Sequence, residues 1–129
     1  MPSKEEFVEK HVTDALVVHC IDFRFQKYLD TWLQKHLGHG NYDRVSLAGG
    51  VFDFDMVSEQ VGISVRLHEI GKVVLINHED CGAYGAAGSF ERHQKDLRVA
   101  KQAIEAEFPR LKVEIYYLRL DGAFEKIEL

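Results

Sequence analysis

Two short stretches of the sequence carry side chains able to do chemistry together. In Cys20-Ile21-Asp22-Phe23-Arg24 a thiol, an acid and a base alternate, and in His78-Glu79-Asp80-Cys81 an imidazole and a thiol stand three positions apart. Each spacing is common by chance. Together they use both cysteines of the chain, too few for a disulfide scaffold. Two thiolates and one imidazole form a soft donor set that suits tetrahedral zinc, and three protein ligands leave a fourth position open, as in catalytic zinc sites. Two other readings stand beside this one: inert buried thiols, and a Cys20–Cys81 redox pair. His19 is the nearest candidate for a fourth ligand, but on a strand it faces away from Cys20.

Asp22 and Arg24 add a second half to the site. If the chain stays extended, residues 20, 22 and 24 share a face. Arg24 can then clamp the Asp22 carboxylate with two hydrogen bonds and keep it ionised beside the metal position. The bland alternative is an ordinary ion pair at a helix start.

These residues need strands to bring them together, and the sequence supplies them. Residues 15–20 form a short apolar, β-branched run that reads as a strand, followed by helical spacing of Phe25, Tyr28, Leu29, Trp32, Leu33 and Leu37, with Gly38 as the C-cap. A second strand is expected at about Arg44 to Ala48, and a second helix ends before Gly71. Val73 to Asn77 is the third strand, apolar until its last residue, as expected of a strand covered on both faces. Ser89 caps a third helix that Pro109 helps to end, "KVEIYYLRL" is a fourth strand, and a short last strand follows a turn. Tyr116 and Tyr117 point to opposite faces, so one of them is expected to be buried. The alternation predicts an α/β fold: a mostly parallel sheet with flanking helices in three layers, as one domain over residues 1–129. In such folds the ligand crevice lies outside the carboxyl ends of the strands, where Cys20, Gly49, Gly50 and His78 fall.

Cys20-Ile21-Asp22-Phe23-Arg24, the Leu-Ala-Gly-Gly at 47–50 and Asn77-His78-Glu79-Asp80-Cys81-Gly82-Ala83 resemble the signature segments of the β-class carbonic anhydrases, in the same order and with comparable spacing. The resemblance implies that Cys20, His78 and Cys81 bind Zn2+, with Asp22 and Arg24 as the adjoining dyad. It also implies reversible hydration of carbon dioxide to bicarbonate by metal-activated water, and a homodimer or dimer of dimers. Val51, Phe52 or Tyr84 would receive carbon dioxide. Backbone N–H groups at Gly49, Gly50 or Gly82 would hold the anion, and His93 or Glu79 would assist proton transfer. Asp22 has a second option in this reading: it can swing in as the fourth ligand until Arg24 recaptures it. The chain departs from the family's pattern in a short or missing N-terminal arm, in Ser46-Leu47 where an Arg-Asn is usual, and in Phe23 where a Ser is common. A non-catalytic zinc module, or hydrolysis of carbonyl sulfide or carbon disulfide, is the alternative.

Bulk properties limit the partners. A formal charge of −5 without clustered Lys and Arg argues against nucleic acid. No apolar run approaches the ~18 residues of a membrane span. The polar, acidic start does not read as a secretory signal, and a cytoplasmic location is the expectation.

Overall fold

A computed structural model describes residues 10–128; residues 1–9 of the N-terminal stretch, expected to form a short arm if any, lie outside the described residues. The apolar run Ala15–His19 forms β1, buried along its whole length. One 3-10 turn leads into α1 (Gln26–Leu37), which Gly38 stops with a positive φ of 92°. There follow β2 (Tyr42–Ser46), α2 (Phe54–His68), β3 (Lys72–His78), α3 (Phe90–Glu107), β4 (Lys112–Leu118) and β5 (Phe124–Lys126). Ser89 caps α3 by accepting a hydrogen bond from the Arg92 N–H at 3.1 Å.

The five strands form one sheet in the order β2-β1-β3-β4-β5, parallel except for β5. Side-chain alternation gives each face its own core. Leu16 and Val18 of β1, Val73 and Leu75 of β3, and Val113, Ile115 and Tyr117 of β4 pack with α2 and α3. Val17, Val74, Ile76, Tyr116 and Leu118 pack with Leu29 and Leu33 of α1. The molecule is thus a three-layer α/β structure, as the alternation of elements predicts.

Two expectations are adjusted. The second strand runs Tyr42–Ser46, two residues earlier at each end than Arg44 to Ala48, because the parallel register pairs Tyr42 with Ala15 and Ser46 with His19, where β1 ends. Tyr116 and Tyr117 are both buried, since helices and the β5 return cover both sides of β4. Trp32 belongs to the α1-side core, its ring stacked between His36 and Phe124.

The chain leaves β1 for β2 on one side, and β3 lies on the other. The strand order therefore reverses between β1 and β3, and the crevice that such a switch opens lies at their carboxyl ends. Cys20 follows β1 directly, and His78 is the last residue of β3.

Candidate metal centre

Cys20, His78 and Cys81 converge at that switch point. Their ligating atoms all lie within 4.8 Å of one another, and all three residues are buried; no other such group occurs among the described residues. The two sulfurs are 4.0 Å apart. That is far beyond a disulfide bond, and it matches the separation of about 3.8 Å between two sulfurs each about 2.3 Å from a tetrahedral zinc. His78 is oriented from outside the cluster: its Nδ1–H donates to the Glu79 carbonyl at 2.7 Å, and its ring lies against Phe25 at 4.3 Å. With the proton on Nδ1, Nε2 carries the lone pair, and Nε2 is buried without a hydrogen-bond partner. A buried orphan nitrogen facing two thiols is costly unless an electron-pair acceptor sits between them, so this donor set fits a soft divalent ion.

The backbone supports ionised sulfur. The Gly49 N–H points at Cys20 Sγ from 3.3 Å. Burial opposes ionisation of Cys20, but the His78 ring, while it is protonated, and the N–H groups of Gly49 and Asp22 outweigh it and bring the thiol down from 9.0 to about 7. Cys81 moves the other way, pushed up by burial and by the charge on Cys20. Gly49 can deliver its N–H only because it has no side chain: its φ is +84°, and a Cβ there would lie 2.6 Å from that of Phe52. Gly50 is equally constrained, a Cβ falling 2.5 Å from Asn77 Oδ1. The Gly50 N–H donates to the Leu47 carbonyl. The N–H groups of Gly49 and Gly50, expected to face an anion, are therefore committed to the protein, while Gly82 is exposed beside Cys81.

Asp22 and Arg24 meet, though not through extended geometry. The chain turns after β1, and Asp22 caps the 3-10 turn by accepting from the Arg24 N–H at 3.0 Å. The guanidinium folds back onto the same carboxylate, with Nη2 to Oδ2 at 2.7 Å and Nε within 3.1 Å of both oxygens. These bonds hold the Asp22 carboxyl down at about 2. Its Oδ2 stands 3.8 Å from His78 Nε2, at the rim of the cluster.

Several supporting residues are invisible to the motif reading. Asp80 has a left-handed backbone, φ +59°, and binds Arg24 twice. His19 faces away from the cluster, as its strand position predicts, but donates from Nδ1 to the Cys20 carbonyl at 2.8 Å while accepting from Arg44 Nε at Nε2. Behind the site, Asn77 accepts from the Val51 N–H and donates to Tyr84 Oη and His93 Nδ1, and Tyr84 Oη donates to Asp96. The signal for Asn77 was a polar residue closing an otherwise apolar strand. The two proposed proton carriers are both engaged: His93 is wholly buried, and Glu79 accepts from the Leu120 N–H. Tyr84 packs in a buried cluster with both cysteines, its ring 4.5 Å from the half-exposed Phe52, while Val51 is buried.

Comparison with known proteins gives a consistent picture. The family model described as "Putative carbonic anhydrase" matches residues 10–128. An uncharacterized protein of Rickettsia bellii (strain RML369-C) is 30% identical over 145 residues, covering 97% of this chain and 88% of that protein. Among solved structures, the carbonic anhydrase from Glaciozyma antarctica superimposes with a TM-score of 0.66 at 16% identity, over 98% of this chain and 89% of the other. A tetrameric β-carbonic anhydrase from Sordaria macrospora gives 0.58 at 14% identity, over 92% and 82%. An apo form of carbon disulfide hydrolase gives 0.67 at 9% identity, over 92% and 80%. At these identities the structural likeness establishes the shared fold.

Proposed function

The chain belongs to the putative carbonic anhydrase family, and from that premise we propose that it is a zinc enzyme hydrating carbon dioxide to bicarbonate at the β1/β3 switch point. The observation that carries this reading is the buried Cys20-His78-Cys81 cluster with the Asp22–Arg24 pair at its rim.

Cys20, His78 and Cys81 would hold the ion. Bound there, zinc supplies the Lewis acidity that makes water a nucleophile near neutral pH. The chain's own residues do the rest. The Glu79 carbonyl fixes the His78 tautomer so that Nε2 faces the sulfurs. The Gly49 N–H stabilises negative charge on Cys20. Asp22, ionised across the physiological range because Arg24 holds it, presents a hydrogen-bond acceptor at the open side, where it orients a water and takes up its hydrogen bond. The Tyr84 and Phe52 rings offer an apolar surface for an uncharged triatomic substrate. Gly82 is the remaining backbone candidate for holding the product anion.

A second reading changes only the substrate. The likeness to carbon disulfide hydrolase supports hydrolysis of carbon disulfide or carbonyl sulfide at the same cluster. Stopped-flow hydration of carbon dioxide from pH 6 to 9 by the zinc-loaded protein tests the first reading, and hydrogen sulfide release tests the second. Hydration absent at every pH would refute the first, and sulfide release in its place would establish the second.

The five strands sharing one sheet support one domain over the whole chain. A homo-oligomer is in keeping with the tetrameric relative. No helix among the described residues is long and apolar enough to cross a membrane, which is compatible with the cytoplasmic location we propose.

A further inference from the structure

Arg24 lies between two carboxylates. Its Nε and Nη2 bind Asp22, while Nη1 binds Asp80 Oδ2 at 3.1 Å and Nη2 also binds the Asp80 carbonyl at 3.0 Å. The two anchors follow different strands: Asp22 comes after β1, and Asp80 lies in the loop after β3, between His78 and Cys81. The Asp80 carbonyl can meet the guanidinium because the residue is left-handed, a conformation in which Asp and Asn are enriched among side-chain-bearing residues. The Arg24 side chain is 41% exposed, and the Asp22 side chain only 16%.

The same Asp22 oxygen that accepts from Arg24 at 2.7 Å stands 3.8 Å from His78 Nε2. It therefore has two competing destinations, the guanidinium and the open corner of the cluster. An exposed arginine restrained by Asp22 alone would follow that carboxylate as it moves. An arginine also held along its Nη1–Nη2 edge by Asp80 stays where it is and pulls the carboxylate back.

We propose that Asp80 is a positioning residue that fixes Arg24 against the His78–Cys81 loop and thereby holds Asp22 away from the metal corner. The proposal rests on the metal-centre reading above. Asp80 touches neither ion nor substrate, and it acts only through Arg24 and Asp22.

Cobalt(II) in place of zinc gives a visible spectrum that reports the ligand set, and thiocyanate added to it reports how available the fourth position is. Asn tolerates a left-handed backbone and keeps the carbonyl anchor, so Asp80→Asn leaves the loop intact while removing the charged anchor. The expected result is thiocyanate binding weakened about three- to fivefold, the scale of an exposed ion pair, because Asp22 now competes for the corner. In an Asp22→Asn background the change at residue 80 leaves thiocyanate affinity unchanged or slightly tighter. The sign is diagnostic, since simple removal of a nearby negative charge would tighten anion binding in both backgrounds. Unchanged or tighter binding in Asp80→Asn, or an equal loss in the Asp22→Asn background, overturns the proposal and leaves the metal centre standing. Absence of sulfur-to-cobalt charge-transfer bands in the unsubstituted protein overturns the metal centre itself.

Discussion

Replacing Gly49 with Ala should damage metal binding out of proportion to its effect on folding. The added Cβ meets Phe52 Cβ at 2.6 Å and Ala83 Cβ at 3.3 Å, and the backbone at φ +84° is one that L side chains rarely adopt. The left-handed backbone costs about 1–2 kcal/mol and the overlap with Phe52, which backbone must relieve, about 1–3 kcal/mol more. Relief means moving the 49–52 turn away, and that turn carries the N–H aimed at Cys20 Sγ from 3.3 Å. Loss of such an outer hydrogen bond weakens metal binding about 10- to 100-fold. Two controls separate these effects. Gly40 has φ +74° and nothing within 4 Å of an added Cβ, so Gly40→Ala carries only the backbone cost. Gly122 has φ +91° and a Cβ there would meet the partly exposed Tyr28 ring, which can swing aside, at 2.6 Å, so Gly122→Ala carries the backbone cost and a smaller overlap far in sequence from the cluster. Chemical denaturation and zinc competition against a chromophoric chelator measure both quantities. All three variants should lose stability, and only Gly49→Ala should lose zinc affinity. If Gly49→Ala binds zinc like the parent, or the controls weaken it equally, the N–H to sulfur contact plays no part in the centre.

Other consequences follow from the same geometry. Arg24→Gln removes the main cause of the low Asp22 pKa, so Asp22 should titrate nearer its ordinary 3.8, and hydration activity should fall at least tenfold; NMR titration of the carboxyl and stopped-flow rates check the two parts. His93 is wholly buried, with its pKa lowered from 6.5 to about 4, chiefly by that burial. The unfolded chain therefore takes up a proton that the folded one refuses, and the stability His93 lends is complete above about pH 6.5 and lost as the pH falls toward 4. At pH 5 the loss amounts to about 2 kcal/mol. In His93→Gln, which can still accept from Asn77, the stability difference from the parent should shift by that amount between pH 7.5 and 5; a pH-independent difference would contradict the argument. Tyr84→Phe keeps the ring beside the cysteines but orphans Asn77 and Asp96 contacts, and should cost about 1–2 kcal/mol in denaturation midpoint analysis with zinc stoichiometry unchanged.

The sequence made the cluster legible because its residues sit at strand ends. Apolar β-branched runs mark β1 and β3; if those strands are neighbours in a parallel sheet the residues at their carboxyl ends meet, as the resemblance to the β-class carbonic anhydrases also implies, and the β1–β3 pairing brings Cys20, His78 and Cys81 together. The Asp22–Arg24 contact is legible in the sequence and its cause is not: a 3-10 turn, in place of an extended chain, folds the guanidinium back. What stayed hidden depends on backbone direction. No residue type announces that Gly49 aims its N–H at sulfur when it was expected to face an anion, that Asp80 is left-handed, or that His19 supports the Cys20 carbonyl from the opposite face. The bounds of β2 are hidden because an edge strand needs no apolar alternation, and the burial of both tyrosines in β4 depends on which layer covers each side.

Zinc K-edge X-ray absorption on the purified chain tests the central claim most directly. The account predicts one zinc per chain with two sulfurs at about 2.3 Å and nitrogen or oxygen scatterers at about 2.0–2.1 Å completing four-coordination, the sulfur contribution halving in Cys81→Ser. A zinc site without sulfur, or a protein that takes up no zinc, would contradict it.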